Sequence, residues 1–270
     1  MTRAARVPWH RQNPLNPNSR GIPMPSSMID VRTHDGVADC YLSGPDDGGE
    51  HPAVLLMIDA IGLRPRIEEM ADRIASQGYV VLAPNVFYRD GRAPLWETPD
   101  LADAESRGEF FERIGPMMAS LTPQRIVSDG SAYLDRLAQA ADGPTAITGY
   151  CFGGRLGWTI AAAAPDRVAA LGGFHTGRMV TDDGESPHLL APQVKAEVYW
   201  GHADNDQSMT PDNIATLDSA MDAAGVRHTT EVYEGAAHGY TMSDMGAYEE
   251  AACERHFQAL FGLLARALPA

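Results

Sequence analysis

Apolar residues fall along this chain in two alternating rhythms. After an opening segment rich in Pro, Asn and Ser, "SMIDVRT" and "GVADCYLS" read as short strands joined by the turn residues His34, Asp35 and Gly36. "GPDDGGEH" is a loop. "PAVLLMIDAIG" then opens with a continuous apolar run, the pattern of a strand covered on both faces in a parallel sheet. "RIEEMADRIASQG" sets Ile67, Met70, Ala71 and Ile74 at helical spacing, with Gly78 as its expected C-cap. "YVVLAPNVF" is a second buried strand, so strand, helix and strand predict a right-handed βαβ unit.

The same rhythm continues to the end. Arg89 to Leu121 is polar and irregular, with a helical pattern in "AESRGEFFERIGPMMASL", and is a candidate cover for a pocket. "TPQRIVSDGSAYLDRLAQA" predicts a helix that starts after Thr122 with Pro123 in its first position. "GPTAITGYCFGGRLGWTIAAAA" reads as strand, tight turn, helix. "VAALGGFH", "KAEVYWGHAD" and "HTTEVYEGAAHG" are three more strands, each running into a loop. "TPDNIATLDSAMDAAG" is a helix with a glycine stop, and "AYEEAACERHFQALFGLLARAL" is a terminal amphipathic helix. This alternation predicts an α/β fold, a doubly wound and mostly parallel sheet with helices on both faces. The expected organisation is an irregular arm over residues 1–27 and a single domain over residues 28–270.

Composition narrows the function. With 270 residues, 44% hydrophobic and 21% charged, the chain has the make-up of a soluble globular protein large enough for a sizeable core. No stretch has the roughly 18 apolar residues of a membrane span. A formal charge of −15 repels phosphate backbones, which argues against a nucleic-acid partner. The three cysteines, Cys40, Cys151 and Cys253, form no CxxC pair, so neither a zinc site nor a disulfide framework is expected. A reducing, cytoplasmic setting fits them, and the basic opening segment has no apolar stretch of the kind a secretory signal needs. Oligomeric state and the arm's role are not legible in the sequence.

The chemistry concentrates at "TGYCFGGRLGW". Gly149, Cys151 and Gly153 form G-x-C-x-G, the cysteine version of the nucleophile elbow, in which a sharp strand-to-helix turn presents the nucleophile at the carboxyl end of the sheet. Residues two before and two after must be tiny, and the following helix offers N–H groups to an anion. A small buried cysteine in a glycine-rich turn is the plainer reading, but the elbow also predicts an acid and then a histidine downstream. His238 in "YEGAAHGY" follows a strand. Asp204 and Asp206 in "GHADNDQSMTP" follow the strand before it, and from the residues alone either aspartate is able to orient an imidazole.

These segments resemble the dienelactone hydrolase family of the α/β-hydrolases. "GYCFGG" is similar to its cysteine elbow, "YEGAAHGY" to its histidine loop, and "IEEMADRIASQGYVVLAPNVFYR" to its early helix and strand. The resemblance spans roughly Met28 to Leu264. It implies an α/β-hydrolase fold and a Cys-His-Asp triad of Cys151, His238 and Asp206. Asp206 is preferred over Asp204 because Ser208, Pro211 and Asp212 then fit the family's loop. It further implies an oxyanion site at the backbone N–H groups of Phe152 and Ala60. Asp59 stands where the family has a glutamate that meets the resting thiol, and Arg89 matches an arginine that holds a substrate carboxylate. Met242 replaces a second such arginine, which weakens any preference for dienelactone itself. The activity so implied is hydrolysis of a small ester or lactone through a thioester, with no metal or organic cofactor. The rival readings are a non-catalytic small-ligand binding protein and a thiol redox sensor.

Overall fold

The apolar rhythm is laid out in space by eight strands and six α-helices, described in a computed structural model for residues 25–47, 49–141 and 143–268. In chain order these are β1 (Ser26–Arg32), β2 (Val37–Ser43), β3 (Ala53–Met57), α1 (Pro65–Ala75), β4 (Val80–Pro84), α2 (Ala104–Ser120), α3 (Pro123–Leu137) and β5 (Thr145–Tyr150). They continue with α4 (Phe152–Ala163), β6 (Val168–Phe174), a 3-10 helix (Pro187–Gln193), β7 (Glu197–Ala203), α5 (Pro211–Ala224), β8 (His228–Tyr233) and α6 (Glu250–Ala267). Most of the expected arm lies outside the described residues, whereas Ser26 and Ser27 already belong to β1.

All eight strands join one sheet in the order β1-β2-β4-β3-β5-β6-β7-β8. β1 and β2 form an antiparallel hairpin, β2 runs antiparallel to β4, and every other neighbouring pair is parallel. Burial follows the pairing: β3, β4 and β5 are buried at every position, as their continuous apolar runs require. Gly157 of α4 packs on Ile147 and Leu171, while Gly172 packs on Leu260 and Leu263 of α6, so these two helices cover opposite faces. α1 shares the face of α6, because the Arg73 guanidinium lies 3.8 Å from the Phe257 ring centre and pairs with Glu254 at 2.6 Å. No helix among the described residues is long and apolar enough to cross a membrane.

α1 ends differently from the expectation. Its C-cap is Ser76, and Gly78 follows two residues later at φ 95°. The last turn tightens through Gln77 N–H to Ile74 O at 3.0 Å and Gly78 N–H to Ala75 O at 2.9 Å before the glycine reverses the chain. Gly225 at φ 70° does cap α5 as the sequence suggests.

The strand order locates the site. From β3 the chain passes to β4 on one side, and later enters β5 on the other side of β3. A crevice therefore opens beyond the carboxyl ends of β3 and β5, the switch point at which doubly wound sheets bind ligands.

Candidate active site

Cys151 stands alone between the end of β5 and the start of α4, at φ 54° and ψ −125°. A side-chain-bearing residue is strained there and persists only when its surroundings hold it. Its N–H donates to Phe174 O at 3.1 Å. A Cβ on Gly149 would come 2.5 Å from Gly153 O, and one on Gly153 would strike the carbonyl oxygens of Met57 and Ile58. The two glycines thus let β3, β5 and α4 meet backbone to backbone. Phe152 opens α4, so its N–H is one of the helix's unpaired donors. The Ala60 N–H, in the turn after β3, makes no hydrogen bond among the described residues.

The loops after β7 and β8 bring the other side chains back toward Cys151. His238 Nε2 lies 3.1 Å from Cys151 Sγ, and His238 Nδ1 lies 2.6 Å from Asp206 Oδ2. The other carboxylate oxygen of Asp206 accepts the Ser208 N–H at 2.8 Å and the Ser208 hydroxyl at 2.7 Å, which fixes its plane. Asp204 does something else. Its carboxylate accepts Gly235 N–H at 3.0 Å and its own N–H donates to Ala236 O at 2.8 Å, tying the β7 loop to the β8 loop. Asn205, at φ 55°, turns the chain between the two aspartates. Of the two acids left open by the sequence, Asp206 is the one that meets the imidazole.

The end of β6 forms the floor of this arrangement, and sequence reasoning missed it. The His175 ring lies edge to face with the His238 ring at 5.2 Å, and its Nε2 shares a hydrogen bond with the Thr241 hydroxyl at 2.8 Å. Burial pushes His175 well below the ordinary histidine range, so it is uncharged at neutral pH. A Cβ on Gly177 would collide with the Ser208 side chain, so a tight β6 loop lets the aspartate loop close over it. A histidine at a strand's carboxyl end followed by a glycine was a visible signal. Nothing in the sequence ranked it above the other eight histidines.

The electrostatics suit charge separation. Burial disfavours a charged His238, but a negative Cys151 sulfur and the Asp206 carboxylate outweigh that and raise it from 6.5 to about 10. Burial likewise disfavours the Asp206 anion, yet the hydrogen bond and charge of His238, with Ser208, lower it to about 2. The signs define a window. The stabilisation from raised His238 is complete below 6.5 and is lost as pH climbs through about 10. That from depressed Asp206 is complete above 3.8 and is lost as pH falls through about 2. Since the sulfur's charge is the largest raising influence, Cys151→Ala should lower the His238 titration from about 10, read from the histidine ring signals by NMR. A His238 that still titrates near 10 in that variant would show that Asp206 alone sets its charge.

Two expected site residues are engaged elsewhere. Asp59, expected to meet the resting thiol, accepts both Arg64 Nη1 at 2.7 Å and Arg64 Nη2 at 3.0 Å, as well as Ile61 N–H at 3.0 Å. The thiol's recorded partner is His238 instead. Arg89 donates to Asp129 at 2.8 and 2.9 Å and to Asp35 at 2.8 and 3.0 Å, so its guanidinium is held between two carboxylates. A substrate carboxylate would have to displace one of them. Met242 is fully packed in the core. Beside Cys151, His238 and Asp206, the residues Arg178, Gln207, Ser208 and Asn213 line an open groove that also holds Asp182 and Asp183. Among the described residues no three His, Cys, Asp or Glu side chains are grouped to hold a metal ion.

The switch-point crevice, the strained elbow and the helix pairing on a mixed eight-stranded sheet define an α/β-hydrolase. Comparison with known proteins agrees. The dienelactone hydrolase family profile matches residues 38–268. A Methylorubrum extorquens protein provisionally named a carboxymethylenebutenolidase is 26% identical over 219 residues, which cover 78% of this chain and 71% of that one. A Salmonella typhi protein of the same name is 26% identical over 234 residues, 83% of this chain and 80% of that one. The crystal structure of a provisionally named dienelactone hydrolase from Klebsiella pneumoniae superposes with a TM-score of 0.79 at 20% identity, covering 90% of this chain and 99% of that one. The chain belongs to the dienelactone hydrolase family and is a carboxylic ester hydrolase.

Proposed function

We propose that this hydrolase cleaves small esters or lactones through Cys151, with His238 as the proton carrier and Asp206 as the group that orients it. The observation that carries the reading is the unbroken chain of contacts from sulfur to imidazole to carboxylate, at 3.1 and 2.6 Å. His238 Nε2 takes the Cys151 thiol proton as the sulfur attacks the acyl carbon and forms a C–S bond, while the carbonyl electrons move onto oxygen. That oxyanion is received by the Ala60 and Phe152 N–H groups. Collapse breaks the C–O bond, and His238 Nε2–H protonates the departing alkoxide, which stays tethered when the substrate is a lactone. His238 then takes a proton from water, the resulting nucleophile attacks the thioester, and the C–S bond breaks as the sulfur recovers that proton from His238, releasing the acid and restoring the thiol. No organic cofactor enters these steps.

For substrate charge, Arg155 supports the reading better than Arg89. It sits on the first turn of α4, half-buried, makes no ion pair among the described residues, and lies within electrostatic reach of Arg178, Cys151 and Asp183. We therefore expect a modest preference for carboxylated over neutral esters of matched size. Arg155→Ala should reduce that preference about tenfold, the scale of one charged hydrogen bond, and Arg89→Ala should leave it within about twofold. The test is a panel of activated esters and lactones, with mass spectrometry of quenched reactions to find the acyl group on the Cys151 peptide. Turnover of the panel without a Cys151 adduct under burst conditions would sink the thioester route. A preference abolished by Arg89→Ala would return the carboxylate site to that residue.

A further inference from the structure

One buried ion-pair cluster stands outside the triad and joins two of its loops. Arg64 immediately precedes α1, and its carbonyl accepts Ile67 N–H at 2.9 Å, so its backbone is fixed to the helix. Its guanidinium grips Asp59 with Nη1 and Nη2, also reaches Gly62 O at 3.0 Å, and turns Nε at 2.6 Å and Nη2 at 3.1 Å to Asp244. The side chains of Arg64 and Asp59 are only 5% and 6% exposed, so water does not compete for the bonds between them, while Asp244 meets Arg64 from the surface with its side chain 27% exposed. Asp59 is the residue before Ala60, and its Oδ1 also holds Ile61 N–H, the residue after it. Asp244 lies six residues beyond His238. A buried ion pair of this kind contributes little net stability, because desolvation offsets the attraction, but it fixes geometry.

We propose that Arg64, Asp59 and Asp244 are positioning residues that hold the turn carrying the Ala60 N–H in register with the histidine loop, so that the donor is aimed before substrate arrives. The proposal rests on the reading that Cys151 forms an oxyanionic adduct. Asp59 then has no contact with thiol or substrate. Its carboxylate sets the backbone on either side of Ala60, and Arg64 transmits the position of α1 to both loops. A preorganised donor loses effect when displaced by even about 1 Å, at a cost near a hundredfold in rate.

The test compares reactions of Cys151 that differ in their need for the oxyanion donor. Iodoacetamide alkylates the sulfur without forming an oxyanion, whereas ester hydrolysis and reversible addition of a small aldehyde both do. Arg64→Lys keeps the charge but removes the two-pronged grip. The double variant Asp59→Leu with Arg64→Met removes both buried charges together, and the carboxylate it deprives of a partner, Asp244, is at the surface where water takes over. In Arg64→Lys, kcat should fall about ten- to a hundredfold with KM within about threefold. Aldehyde affinity should fall in parallel, and the alkylation rate should stay within about twofold of wild type. The double variant should behave alike. Wild-type kcat in either folded variant would overturn the proposal, as would alkylation falling in step with hydrolysis, since the damage would then lie in the Cys151–His238 pair. Failure of the underlying reading looks different: Cys151→Ala would retain hydrolysis whatever Arg64 does.

Discussion

Cys151→Ala is expected to lose about 10⁴-fold or more in kcat on an activated ester while keeping its fold. The chemical half of this follows from the elbow. With the sulfur gone, the atom 3.1 Å from His238 Nε2 is missing and the proposed acyl-enzyme has no atom to form on. The structural half follows from what holds the turn. The strained φ of 54° is maintained by the Cys151 N–H bond to Phe174 O and by the backbone contacts that Gly149 and Gly153 permit. None of these involves sulfur, and alanine tolerates the conformation no worse than cysteine does. Circular dichroism should therefore match wild type, and the thermal midpoint should fall only by the part of the His238 stabilisation that the sulfur's charge supplied. Gly153→Ala should instead unfold or distort the site, because its new methyl group would meet the carbonyl oxygens of Met57 and Ile58, which cannot swing aside. Full turnover in folded Cys151→Ala would leave the protein without its nucleophile and turn attention to water activated by His238.

Much of this was legible in the chain because the signals are local. Continuous apolar runs place the buried strands, and the spacing of two glycines around Cys151 marks the elbow, although the Met57 and Ile58 carbonyl oxygens that forbid a Cβ on Gly153 lie far away in sequence. The loop order after β5 then supplies an acid and a histidine. What was not legible depends on partners far away in sequence. Asp59 and Arg64 are five residues apart, but the reason for their pairing lies at Asp244, 180 residues beyond Arg64. Arg89 matches a substrate-binding position by motif, yet Asp129, brought beside it by α3, engages its guanidinium. His175 becomes notable only when folding sets its ring against His238. Motif spacing fixes a residue's backbone place, and the tertiary neighbours fix its electrostatic role.

The same distinction separates the two aspartates. Asp206→Asn should lower kcat about 10³- to 10⁴-fold, and His238→Ala should be at least as damaging, whereas Asp204→Asn should stay within about tenfold of wild type. Asparagine at position 206 keeps the shape but presents an amide where Oδ2 now accepts from His238 Nδ1 at 2.6 Å. It removes the charge that favours a protonated imidazole and stabilises the wrong tautomer, leaving Nε2 poorly prepared to exchange protons with sulfur and leaving group. Ser208 would still hold the side chain through an oxygen, so the loop should not collapse. Asp204 carries no such burden, because among the described residues its carboxylate meets only the Gly235 N–H. An amide oxygen preserves that bond, and the remaining loss is a slight loosening of the histidine loop. Asp206→Asn should also lower the thermal midpoint, because the stabilisation from its depressed carboxylate goes with the charge, whereas Asp204→Asn should barely move it. If Asp204→Asn proves the more damaging to kcat at unchanged stability, the acid has been misassigned, and the 2.6 Å contact of Asp206 is a loop restraint rather than part of the proton relay.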